Sequence, residues 1–154
     1  MRALPTILAV SVAFASGLIA SPLLQHALPS VYAESLPLTA AVYDLSAMAS
    51  ADLPATSNPE MRSRPLVVTD NATLAIQAGN APKHYHAKSD EIQYIIEGSG
   101  QIWLGDERRD IRPGSLIVIP KGTPHSGTIV TSGPIKAIAI KIPPQVNGDV
   151  VLVK

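Results

Sequence analysis

The chain has 154 residues, of which 46% are hydrophobic and 16% charged, and its formal net charge is zero. Neutrality argues against nucleic acid as a partner, because phosphate binding needs a basic excess. The absence of cysteine leaves only nitrogen and oxygen ligands for any metal.

The chain opens on an apolar stretch, Ala3 to Ala20, behind a single basic residue, Arg2, and the next charge is Glu34. Val31-Tyr32-Ala33 supplies the small or branched residues that a signal peptidase accepts before its cut. Residues 1–33 therefore read as a signal peptide cleaved after Ala33, which implies a periplasmic or secreted protein with no stable membrane insertion after signal removal. An uncleaved anchor is the competing reading; Pro5, Ser11, Ser16 and Gly17 dilute the apolar run and favour cleavage.

Residues 34–65 are loosely patterned. "LPLTAAVYDL" suits one short strand, while the Ala-, Ser- and Pro-rich remainder has no sustained period. The segment reads as an N-terminal arm that wraps the domain or reaches a neighbour, with partial disorder as the alternative.

Residues 66–154 have a different texture. Short apolar or alternating runs, each closed by a turn former, predict seven or eight strands and an all-β sandwich or barrel: "LVVT", "TLAIQAG", "IQYIIEG", "QIWLGDERRDI", "SLIVIP", "HSGTIVTSG", "IKAIAIKIP" and "DVVLV". Gly105-Asp106 suits a hairpin turn. "SLIVIP" is apolar at nearly every position, which predicts a strand buried on both faces.

Two stretches carry candidate chemistry. In "KHYHAKSDE", His84 and His86 lie two apart on a strand and point the same way. Glu91 opens the next strand on one face with Gln93 and Ile95, so a hairpin brings two imidazoles and a carboxylate together. In "GSLIVIPKGTPHSG", the Pro120-Lys121-Gly122 turn sets where a third imidazole, His125, emerges. Imidazole and carboxylate suit first-row divalent ions.

These stretches resemble the motifs of the cupin family. Gly79, His84, His86, Glu91 and Gly98 follow the first motif, and Gly114, Pro120, Gly122 and His125 the second, with Ile129 where the family pattern has asparagine. The resemblance covers roughly residues 66–142. It implies a single conical β-barrel domain, also described as a double-stranded β-helix or jelly roll. His84, His86, Glu91 and His125 would hold one divalent transition metal ion: Mn, Fe, Ni, Co or Zn. Asp90 is an alternative carboxylate, but Glu91 alone keeps the family's spacing to Gly98.

Four ligands leave coordination positions open, as catalytic sites do. The expectation is a small exported metalloenzyme of dioxygenase, isomerase or lyase type acting on a small polar substrate. The alternative is a non-catalytic cupin that binds a metal, a sugar or another small ligand. Gln93 is the substrate-binding candidate. Trp103 is expected in the core, and Lys121 as a solvated turn residue rather than a cation facing an anionic substrate. Tyr94, Ile92 and Ile96 face away from the ligands, and by the resemblance a homodimer covers them; the arm is the other candidate cover.

Overall fold

The computed structural model describes residues 38–153. The expected signal peptide and its cleavage point lie outside the described residues. Among the described residues no helix is long and apolar enough to cross a membrane.

The architecture is all-β, as the strand pattern predicts. Among the described residues, eight strands follow one 3-10 turn at Ser50–Asp52: β1 (Met61–Val68), β2 (Thr73–Gly79), β3 (His84–His86), β4 (Asp90–Leu104), β5 (Glu107–Ile111), β6 (Leu116–Ile119), β7 (His125–Ile142) and β8 (Val150–Leu152). The sheet order is β1-β2-β7-β3-β8, and β4 pairs with β5, β6 and β7, so the sheet curls into a half-barrel. β1 begins at Met61, inside the segment read as an arm, and carries Pro65 at a register shift. An edge strand tolerates proline there, because its outer N–H groups need no partner. Residues 38–44 of "LPLTAAVYDL" form no strand.

Two expected turns are not turns. β4 runs through Gly98 and β7 through Gly133, so each strand fuses two runs that the sequence separates. The two strands pair antiparallel from Asp90↔Ile142 to Leu104↔His125, with register shifts between. At Gly98 the φ is +81°, and a Cβ there would lie 2.4 Å from the Pro134 carbonyl oxygen. Glycine is needed at this point for close approach within a bulged ladder, not for reversal. The Gly105-Asp106 turn does form, closing the β4–β5 hairpin between Leu104 and Glu107.

The faces of β7 organise the core. Ile135 and Ala137 point inward and join Ile95, Ile102, Ile111, Ile117 and Ile119 in one buried cluster. Ile138 points outward and packs with Leu53, Ile76 and Ala78, against which Leu45, Met48 and Ile96 also lie. The segment 45–53 thus covers the outer face of β2 and β7. Lys136, also outward and buried, donates to the Met48 carbonyl at 3.1 Å and pairs with Glu97. The cover does not reach β6, where Leu116 is 65% and Val118 60% exposed. The strand buried on both faces is therefore β7, and "SLIVIP" buries only one. Apolarity gives a strand's capacity for burial; the path of the covering segment decides which strand is covered.

Candidate metal centre

Strand geometry carries three imidazoles and one carboxylate to one point. His84 and His86 occupy the same face of β3. His84 is the cross-strand partner of His125, the first residue of β7. Glu91 stands one residue inside β4. All four are buried, and each offers a ligand atom within 4.8 Å of the others. Neighbouring ring centroids are 4.4–5.4 Å apart.

The outward nitrogens settle the tautomers. His84 Nδ1 lies 2.8 Å from the Pro82 carbonyl, His125 Nδ1 3.0 Å from the Thr123 carbonyl, and His86 Nδ1 3.0 Å from Asp149 Oδ2. These partners only accept, so each Nδ1 carries the hydrogen and each neutral ring directs its Nε2 lone pair inward. Asp149 is fully buried and also accepts from the Lys88 amide at 2.6 Å. Burial alone would raise its carboxyl; the Lys88 amide and the His86 ring outweigh that and hold it below the usual range. A carboxylate behind a ligating histidine fixes the ring and raises its basicity.

Inside the site, acceptors face acceptors. Glu91 Oε2 lies 3.0 Å from His86 Nε2 and 3.1 Å from His125 Nε2. With hydrogens on Nδ1, neither contact is satisfied unless a cation or extra protons stand between. Burial pushes the His84 imidazole down to about 4, which disfavours the protonated answer at that ring. Burial also opposes ionisation of Glu91, but in the metal-free site a proton on His125 or His86 facing Oε2, together with the Lys141 ammonium, outweighs it and holds the carboxyl well below its ordinary value. A buried, acceptor-rich set of three imidazoles and one carboxylate fits a single divalent ion of the first transition row.

The other oxygen of Glu91 is already engaged. Lys141 Nζ donates to Oε1 at 2.9 Å and Gln93 Nε2 at 3.1 Å. That leaves Oε2 as the ligand atom. A cavity of about 640 Å³ opens onto His84, His86 and Glu91, and the amide side chains of Asn58, Gln77, Gln93, Gln145 and Asn147 contribute to its wall.

Residues 72–141 match the family model described as "Cupin domain", and they contain β2 to β6, nearly all of β7 and all four clustered residues. The barrel has the cupin fold. Part of the chain is 36% identical over 66 residues to an uncharacterized protein of Methanocaldococcus jannaschii, covering 43% of this chain and 53% of that one. It is also 36% identical over 89 residues to an acireductone dioxygenase of Rhodopseudomonas palustris, covering 52% of each. The chain spans about half the length of these curated relatives. Among solved structures, Streptomyces Pac13 with uridine aligns at a TM-score of 0.57 and 15% identity, covering 69% of this chain and 88% of that one. KdgF from Halomonas sp. aligns at 0.52 and 19%, covering 59% and 86%. At such identities the likeness is one of fold.

Within the cupin barrel, the other sequence candidates separate. Asp90 is exposed and accepts from the Lys121 amide at 2.8 Å, so it is not an alternative to Glu91. Lys121 is exposed and does not line the cavity. Trp103 is not in the core: it is half-buried between two cations, with Lys83 Nζ 4.1 Å and Arg108 Cζ 4.4 Å from its ring centre. Gln93 lines the cavity, but its amide is also spent on orienting Glu91.

Sequence reasoning missed Asp149 and Lys141. Asp149 lies 63 residues from His86, too far for any spacing rule. Lys141 did leave a signal. The run "IKAIAIKIP" holds two lysines an odd number of residues apart, so one must face each side of the strand. Lys136 goes out to the covering segment, and Lys141, paired across the ladder with Glu91, goes in.

Proposed function

We propose that this chain is an exported, metal-dependent cupin enzyme acting on a small polar substrate at an ion held by His84, His86, Glu91 and His125. One observation carries the reading: four ligand atoms converge, and three of the residues that offer them, His84, His86 and Glu91, open onto a cavity of about 640 Å³ into whose wall five side-chain amides are set. A barrel packed shut with isoleucine would have favoured a non-catalytic cupin instead.

When bound, the ion would polarise a substrate oxygen or acidify a water. The protein's own residues prepare for it. The carbonyls of Pro82 and Thr123 and the carboxylate of Asp149 hold three Nε2 atoms inward. Gln93 and Lys141 hold Glu91 Oε1, so that Oε2 faces the histidines. The amides of Asn58, Gln77, Gln145 and Asn147 offer donors and acceptors to a polar substrate, and Gln93 supplies the contact nearest the ligands. Reactions of dioxygenase, isomerase or lyase type all suit such a site. The acireductone dioxygenase relative and the nucleoside dehydratase Pac13 show that cupin-fold proteins include both oxygenase and dehydratase chemistry.

Export rests on the apolar leader, and a homodimer on the apolar face left open at Tyr94, Leu116 and Val118. Fractionation and sedimentation test those two points. The central test is elemental analysis of protein taken from its native compartment, followed by reconstitution with Mn, Fe, Co, Ni or Zn and screens for O₂ uptake, isomerisation and elimination. About one ion per chain is expected. Less than about 0.1 ion per chain, restored by none of these metals, overturns the proposal.

A further inference from the structure

The cavity holds one cationic side chain, Lys141, and its hold on Glu91 Oε1 is shared with the neutral amide of Gln93. Lys141 Nζ reaches Glu91 Oε1 at 2.9 Å and His86 Nε2 at 3.2 Å, and its side chain is 12% exposed. A cation beside the ligands of another cation weakens the site for the ion, and a neutral donor such as Gln93 can hold Oε1 without that cost, so the charge itself requires a further explanation.

Charge and space supply one. Among the described residues of the cavity wall, Glu91 is the only carboxylate and Lys141 the only lysine or arginine. Asp149 adds a negative charge behind His86. With a divalent ion bound, the ion and Lys141 exceed Glu91 and Asp149 by one positive charge, and that excess lies at the cavity floor. The space beside Lys141 is also kept open. On the inner face of β7, Ala137 and Ala139 precede Lys141, and Ala75 stands across from Ala139 on β2. A second cavity of about 280 Å³ lined by Ala75, Gln77 and Ala139 meets the first at Lys141. Small side chains on two facing strands leave room for a ligand where isoleucine fills the rest of the barrel.

We propose that Lys141 is the specificity-determining residue of this site and that the substrate is a small organic anion, whose carboxylate binds the ammonium while the molecule lies against the metal. The proposal rests on the metal-site reading above and narrows it from a polar substrate to an anionic one. Any group bound on the cavity side of Glu91 and His86 is within reach of Nζ, which already touches both. The surrounding amides would hold the uncharged polar part of the same molecule.

The test uses the full chain loaded with Co(II), whose visible spectrum responds to a ligand at the ion, and titrates it with lactate and with its uncharged counterpart lactamide. Wild-type protein should prefer lactate by about tenfold or more, the strength of a hydrogen bond to a charged partner. Lys141→Gln and Lys141→Met should lose most of that preference, and Lys141→Arg should keep part of it. Cobalt content should stay level or rise in the neutral variants, because a repelling charge has gone. Equal binding of lactate and lactamide by the wild type, or an unchanged preference in both neutral variants, overturns the proposal. Wild-type protein that takes up no cobalt refutes the metal reading alone. The same titration on metal-free protein, followed by calorimetry, then judges Lys141 by the same criterion.

Discussion

β4 begins and ends in different chemistry on one continuous inner face. At its start, Glu91 and Gln93 face a site of imidazoles, an ammonium and open space. Further along, Ile95 and Ile102 sit in a dry cluster with Ile111, Ile117, Ile119 and Ile135. One partner strand, β7, runs along both ends, and the bulges between them shift the register so that each end keeps its inner face; the difference lies in the side chains. The isoleucine end supplies burial, and the polar end is tolerated because that burial is available. Buried carboxylate and imidazole need partners to offset their desolvation, and a rigid barrel holds those partners in place. Stability and function should therefore separate along one strand.

The largest effect expected is on the ligands. Glu91→Ala removes the only carboxylate and should weaken metal binding at least about a thousandfold. Calorimetric titration measures this, and circular dichroism should show the barrel still folded. Ile102→Ala should do the reverse. It deletes a side chain in the apolar cluster and should cost about 2–5 kcal/mol in chemical denaturation, with metal affinity of the folded protein changed by less than about twofold. If Ile102→Ala loosens the metal as much as it destabilises the chain, the two ends are one cooperative unit and the comparison fails. Asp149→Asn should weaken metal binding about ten- to a hundredfold, since the amide can turn its NH₂ toward His86 Nδ1 and disturb the tautomer.

The legibility of these regions in the sequence follows from what local pattern can encode. Strand identity was readable because alternation and turn formers act over a few residues. The ligand set was readable because a hairpin brings neighbours in sequence together, and His-x-His with a nearby glutamate survives as spacing. Strand continuity was not readable, since Gly98 within a bulge and Gly105 within a turn look alike until the opposing backbone is present. Nor was burial of the outer faces. "SLIVIP" and "IKAIAIKIP" are similarly apolar, and only the path of residues 45–53 chooses between them. Asp149 and Lys141 depend on pairings of distant strands, which no local rule supplies.

The smallest effect sharpens the comparison through pH, because the isoleucine end contains no titratable group and the other end several. In metal-free protein the His84 imidazole is lowered to about 4 by burial, against 6.5 in an exposed ring. Between those values the unfolded chain binds more protons than the folded one, so folding stability must fall as pH drops from about 6.5 toward 4. Glu91 acts in the same direction at lower pH: its carboxyl is held below 4.5, so the unfolded chain takes up that proton first. His84→Asn should flatten the upper part of the decline and leave the lower part in place. Ile102→Ala should lower the whole stability curve without changing its shape. Denaturation midpoints measured from pH 7.5 to 4 on the three proteins check this. Parallel curves for wild type and His84→Asn would mean that burial does not hold His84 neutral, and that its lone pair is not kept free for a metal.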